Sequence, residues 1–89
     1  KEELYGLTMQ LRRCSVSIPS SIAEGYGRHS TKDYVRYLQI ASGSLYELQT
    51  QLEICKNLNF LTVDETTTIS EKGREIERML VSLIKKLRI

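Results

Sequence analysis

The sequence predicts an all-α protein, an antiparallel up-down bundle of three long helices over about residues 2–24, 31–57 and 63–88. Three observations predict it. Apolar residues recur at three- and four-residue steps along nearly the whole 89-residue chain. Breaks occur at only two places, Gly25-Tyr26-Gly27 and residues 57–61. Strand signals are few, and no internal repeat, linker or low-complexity segment is present.

In the first helix Leu4, Leu7, Leu11, Cys14, Ile18 and Ile22 form one apolar stripe. Pro19 falls inside it, where it removes the hydrogen bond to the Ser15 carbonyl, so a kink is expected. Ser15, Ser17, Ser20 and Ser21 surround that point and offer hydroxyls to the freed backbone groups. Gly25-Tyr26-Gly27 is expected to end the helix with a left-handed glycine. Ser30 or Thr31 then caps the second helix, with Asp33 in its first turn.

The second helix carries a heptad-type seam of Tyr34, Leu38, Ala41, Leu45, Leu48, Leu52 and Cys55. A second stripe of Tyr37, Ile40, Ser44, Ile54 and Leu58 lies beside it, which predicts more than one packing neighbour. Gly43, within the small run 41–44, costs a helix about 1 kcal/mol, and close helix packing is the expected reason for it. Thr62-Val63-Asp64-Glu65 is a capping-box pattern at the start of the third helix. The seam of that helix is expected to be Ile69, Gly73, Ile76, Leu80, Leu83 and Leu87, widened by Met79 and Ile84.

A chain of 89 residues is one domain. At this length only about 60–65% of the extended-chain surface is buried, so assembly into an oligomer adds much. Charged residues are 27% of the sequence without a long block of one sign, which argues against disorder. The net charge of +2 is too small to imply a nucleic-acid partner by itself. Two cysteines are too few for a disulfide scaffold. No signal peptide or membrane-length apolar run occurs, so the expected location is cytoplasmic, with no membrane partner.

Antiparallel packing gives the charges a layout. The end of the first helix, the start of the second and the end of the third share a pole, which gathers Arg28, His29, Lys32, Arg36, Lys85, Lys86 and Arg88 against mainly Glu24 and Asp33. The opposite pole carries Glu2, Glu3, Asp64 and Glu65 against Lys1 and Lys56. One reading of the basic pole is a solvated surface, with Lys85, Lys86 and Arg88 complementing a helix dipole and Arg28 paired to Glu24. The other is contact with phosphates. Tyr26, Tyr34 and Tyr37 offer faces to unpaired bases, although Tyr34 and Tyr37 fit the packed faces as well. Arg12 and Arg13, mid-helix, have three readings: exposed heads on apolar stems, partners of Glu47 or Glu53, or nucleic-acid contacts.

No catalytic set is legible. His29 is the one histidine, so a His-Cys metal cluster cannot be built, and neither cofactor nor metal is expected. No carboxylate pair frames a cleft and no glycine-rich loop follows a strand. Cys14 and Cys55 come out about 22 Å apart along the bundle axis, which excludes a bond between them; both sit on apolar seams.

The residues RR-x3-SIPS-x-IAEG-x-GR-x-S-x-KD, from Arg12 to Asp33, followed by GSL-x-EL-x-TQL, from Gly43 to Leu52, resemble the core motif of the four-helix-bundle 23S rRNA intervening-sequence proteins. The likeness is dense over residues 4–61 and continues by pattern to the end. It implies an antiparallel four-helix bundle, a homopentamer with a central channel in several relatives, bacterial genes inside or apart from large-subunit ribosomal RNA insertions, and no enzymatic activity. A related accessory protein of diversity-generating retroelements is a basic pentameric barrel associated with RNA and reverse transcriptase. The family's biochemical function is unknown, and nucleic-acid binding is the usual proposal. Relatives have one more helix before the segment that opens here. Ser21 stands where asparagine is usual, and Cys14 and Cys55 where alanine is common.

Two functions follow as expectations. One is a non-enzymatic homo-oligomer that binds RNA or DNA backbone through Arg12, Arg13, Arg28, Lys32, Arg36, Lys85, Lys86 and Arg88. The alternative is a protein-interaction and assembly scaffold with no nucleic-acid role.

Overall fold

In the computed structural model, which describes residues 2–88, the chain forms three helices: α1 (Glu2–Tyr26), α2 (Thr31–Asn57) and α3 (Val63–Leu87). They reverse direction at each turn and build an elongated, flattened molecule of 44 × 23 × 13 Å. No strand occurs among the described residues. No helix is long and apolar enough to cross a membrane.

The helix ends follow from local chemistry. The Asp33 amide donates to Ser30 Oγ at 3.3 Å, which makes Ser30 the cap of α2. At α3 the capping box is complete: the Glu65 amide donates to Thr62 Oγ1 at 3.0 Å, and the Thr62 amide donates to Glu65 Oε1 at 2.9 Å. The α2–α3 turn is a Schellman motif. The Phe60 amide reaches back to the Cys55 carbonyl at 2.8 Å and the Asn59 amide to that of Lys56 at 3.0 Å. Asn59 takes the left-handed conformation the motif requires, with φ 64°.

The first turn is built differently from the expected glycine cap. α1 runs through Gly25 to Tyr26, and neither Gly25 nor Gly27 has a positive φ. Gly25 is needed for space. A Cβ placed on it would lie 2.6 Å from Tyr37 Cβ and 3.1 Å from Tyr34 Cδ1. The absent side chain lets the end of α1 press onto the start of α2.

Pro19 lies within α1 and its side is exposed to solvent. Of the serines around it, Ser17 turns to α2, where its hydroxyl bonds that of Ser44 at 2.9 Å. The core holds Ile18 from α1, Leu38, Ala41 and Leu45 from α2, and Leu80 from α3. Each leucine buried to this degree contributes about 1.5–3 kcal/mol of hydrophobic stabilisation.

α2 is the shared element. No Cα of α1 comes within 8 Å of one in α3 among the described residues, whereas both flank α2. An open trough of about 730 Å³ therefore runs beside α3, lined by Ile22, Leu38, Ile76, Met79, Leu80 and Leu83 and edged by Glu75, Arg78 and Lys86. The seam of α3 matches the expected one at Gly73, Leu80, Leu83 and Leu87 and departs from it at Ile69 and Ile76. Thr66, Gly73 and Leu80 are buried, while Ile69 and Ile76 are exposed. Gly73 explains the choice, since a Cβ there would meet Gln49 Nε2 at 3.2 Å and Leu45 Cδ1 at 3.6 Å. In α2 the first stripe is covered, with Val35 added, and Ile40, Ile54 and Leu58 of the second remain exposed. Gly43 has nothing within 4 Å of a built Cβ, so the close packing expected there is absent from this chain's own fold.

Candidate nucleic-acid interface

The basic pole is assembled by chain reversal. Lys32 and Arg36 from the first turns of α2 and Arg88 from just beyond α3 line one cleft of about 530 Å³, together with Thr31, Asp33 and Gln39. Val35 and Leu87 form its apolar wall. Three cations thus face one carboxylate, at the end of α2 where unbonded amides favour anions.

Beside the cleft, Tyr37 gathers two guanidinium groups. Arg28 donates from Nη2 to the Tyr37 hydroxyl at 2.7 Å, and its Cζ lies 5.1 Å from the ring centre. The Cζ of Arg36 lies 4.7 Å from the same ring centre. Arg28 also donates to Glu24 Oε2 at 3.0 Å, and Arg36 Nε stands 4.0 Å from Asp33 Oδ1. Tyr37 above all raises the pKa of Arg28 over that of an ordinary guanidinium; desolvation opposes it, and the bond to Glu24 adds to the rise. No sequence spacing announced this clamp, because Arg28 lies in the turn and Tyr37 is one turn into α2.

The other residues singled out from the sequence are dispersed. Lys86 edges the apolar trough with Arg78 and Glu75. Lys85 is exposed in the last turn of α3. Arg12 and Arg13 lie about 22 Å from the pole at 1.5 Å per helical residue. Arg13 donates to Gln10 Oε1 from Nη2 at 2.7 Å and from Nε at 3.2 Å, and it meets Glu47 Oε2 at 3.7 Å across the α1–α2 interface. With these side chains 60% and 56% exposed, that pair adds well under about 1 kcal/mol. Arg12 is exposed without an ion-pair partner among the described residues. At the opposite pole Lys56 pairs with Glu53 at 2.8 Å, and Lys1 lies outside the described residues.

Cys14 and Cys55 are buried free thiols. Burial raises both pKa values, and the nearby Glu47 carboxylate raises that of Cys14 further. Such thiols are poor nucleophiles. Among the described residues no group of three or more His, Cys, Asp and Glu side chains is placed to hold a metal ion.

The fold and its basic end define a small all-α bundle protein. Residues 1–82 match the family described as 23S rRNA-intervening sequence protein. The chain belongs to that family. A crystal structure of a protein of unknown function from the S23 ribosomal protein family of Bacteroides thetaiotaomicron is similar at 28% identity and a TM-score of 0.86, over 89% of this chain and 73% of that one. No curated protein matches. Neither description names an enzymatic activity.

Proposed function

We propose that the protein is a non-enzymatic, homo-oligomeric bundle that binds the backbone of RNA or DNA through its basic pole. The observation that carries this reading is the cleft in which Lys32 and Arg36 meet Arg88 from the far end of the chain. Cations at a helix N-terminus suit phosphate oxygens, and the Tyr37 ring holds Arg28 and Arg36 close together in spite of their like charge. The uncovered trough and the exposed Met9, Val16, Met79 and Val81 favour assembly, which would multiply the poles. Within this reading Lys32, Arg36 and Arg88 contact phosphate first, Arg28 next, and Lys85, Lys86, Arg12 and Arg13 add longer-range attraction.

The test is a filter-binding titration over salt. Affinity is expected to fall steeply and log-linearly as salt rises, with a shallower slope for Lys32→Ala and Arg36→Ala. Affinity that stays flat from low to moderate salt rejects phosphate contact.

The scaffold reading draws on the wide face of α2, where Ile40, Ile54 and Leu58 stay exposed. Replacing Arg12 and Arg13 with alanine separates the two. Loss of assembly in light scattering favours the scaffold; intact assembly with weaker nucleic-acid retention favours the first reading.

A further inference from the structure

Tyr26 is the aromatic residue the fold leaves most open. Its side is 76% exposed at the last position of α1, in the pole that holds the cations. An exposed tyrosine at a helix end is ordinarily free to swing, yet this ring is braced. Tyr34 stands edge-on to it, with ring centres 5.9 Å apart and planes at 74°. Tyr34 is itself half-buried against the core. The brace depends on Gly25, whose missing Cβ would otherwise meet Tyr34 Cδ1 at 3.1 Å and Tyr37 Cβ at 2.6 Å. One glycine therefore brings together a propped, solvent-facing ring and the Tyr37 ring that holds Arg28 and Arg36.

We infer that this pole takes single-stranded nucleic acid, with an unpaired base stacked on Tyr26 and the adjoining phosphates on Arg28, Arg36 and the Lys32–Arg88 cleft. The inference rests on the phosphate-binding reading and adds the strandedness of the partner. A duplex keeps its base faces inside the helix and offers an exposed ring little, whereas every unpaired base has a face to stack. The braced ring loses little freedom when a base lands on it, and the fixed guanidinium groups lose little when they meet phosphate. Nothing in the arrangement reads base edges, so sequence preference is weak.

Anisotropy titrations at one low salt concentration test it, with labelled oligo-U, oligo-dT and a duplex of equal length against wild type, Tyr26→Ala and Tyr26→Phe. Circular dichroism of each variant confirms an unchanged helix content. Tyr26→Ala is expected to weaken both single strands about five- to hundredfold and to leave the duplex within about twofold, while Tyr26→Phe binds as wild type. Oligo-U and oligo-dT then tell whether RNA or DNA is favoured. Single strands bound by Tyr26→Ala as tightly as by wild type overturn the stack and leave phosphate contact standing. Equal losses on strand and duplex also overturn it, by showing that Tyr26 acts through the fold. Failure of wild type to bind any of the three overturns the phosphate reading and the stack together.

Discussion

Gly25 and Tyr37 are in mutual contact so close that the smallest added side chain has no room: the Cβ–Cβ separation would be 2.6 Å. Tyr37 Cβ is backbone-anchored and cannot swing aside. Gly25→Ala must therefore push the end of α1 away from α2 and is expected to destabilise the fold by about 1–3 kcal/mol. A urea-unfolding midpoint measured by circular dichroism checks this, and an unchanged midpoint contradicts it. The same variant should weaken nucleic-acid binding, because the Tyr37 clamp would move with the helix end.

Gly43 is the counterpart. It sits in the middle of α2, exposed, with nothing within 4 Å of a built Cβ. Gly43→Ala is expected to stabilise an isolated chain by about 0.5–1 kcal/mol through the unfolded-state entropy it removes. If unfolding shows stabilisation at low protein concentration and a loss of assembly at high concentration, the glycine serves a contact between copies.

Asn59 holds the left-handed position of the α2–α3 turn with φ 64°. Asn59→Gly is expected to be neutral or slightly stabilising, and Asn59→Ala to cost about 1 kcal/mol. Thermal unfolding of the two variants side by side is the measurement. Equal melting temperatures would falsify the assignment of the turn.

Cys14 and Cys55 give a pH dependence with a definite sign. Burial raises the pKa of each thiol in the folded state above its unfolded value of 9.0. The folded chain therefore keeps these protons after the unfolded chain has lost them. Their contribution is complete below about pH 9 and declines as pH rises through and beyond that value. Unfolding free energy measured from neutral to alkaline pH should fall less in Cys14→Ala and Cys55→Ala than in wild type. Native protein should also react with a thiol reagent far more slowly than the same protein in urea.

Much of this architecture was legible in the residues. The three helices, a cap at Ser30 or Thr31, the Thr62 cap and the seam from Leu38 to Cys55 follow from the residues, and the structure selects Ser30. The exposure of Ile69 and Ile76 in α3 was not legible. Its apolar residues form a wide band; Gly73, Leu80, Leu83 and Leu87 turn inward as the spacing suggests, but Thr66 is buried where Ile69 and Ile76 were expected. The two turns exchanged roles: the left-handed residue is an asparagine, and the expected glycine cap is a packing gap. At the pole, sequence order located Arg28, Lys32, Arg36 and Arg88. It carried no sign that Tyr37 would bind two of them, since that depends on how closely Gly25 lets α1 approach. Lys86 shows the opposite limit, because placement at the right end of a helix left its direction around the axis open.

The position of α2 between two helices whose backbones stay apart has a mechanical result. Leu45 and Leu38 answer to both sides, whereas among the described residues no Cα of α1 lies within 8 Å of one in α3. The final helix can thus peel away while the first hairpin stays closed, and amide hydrogens of α3 should exchange ahead of those of α2. A strand or subunit gripping Arg88 would close that peeling edge from the outside, turning the weakest joint into the one that senses occupancy.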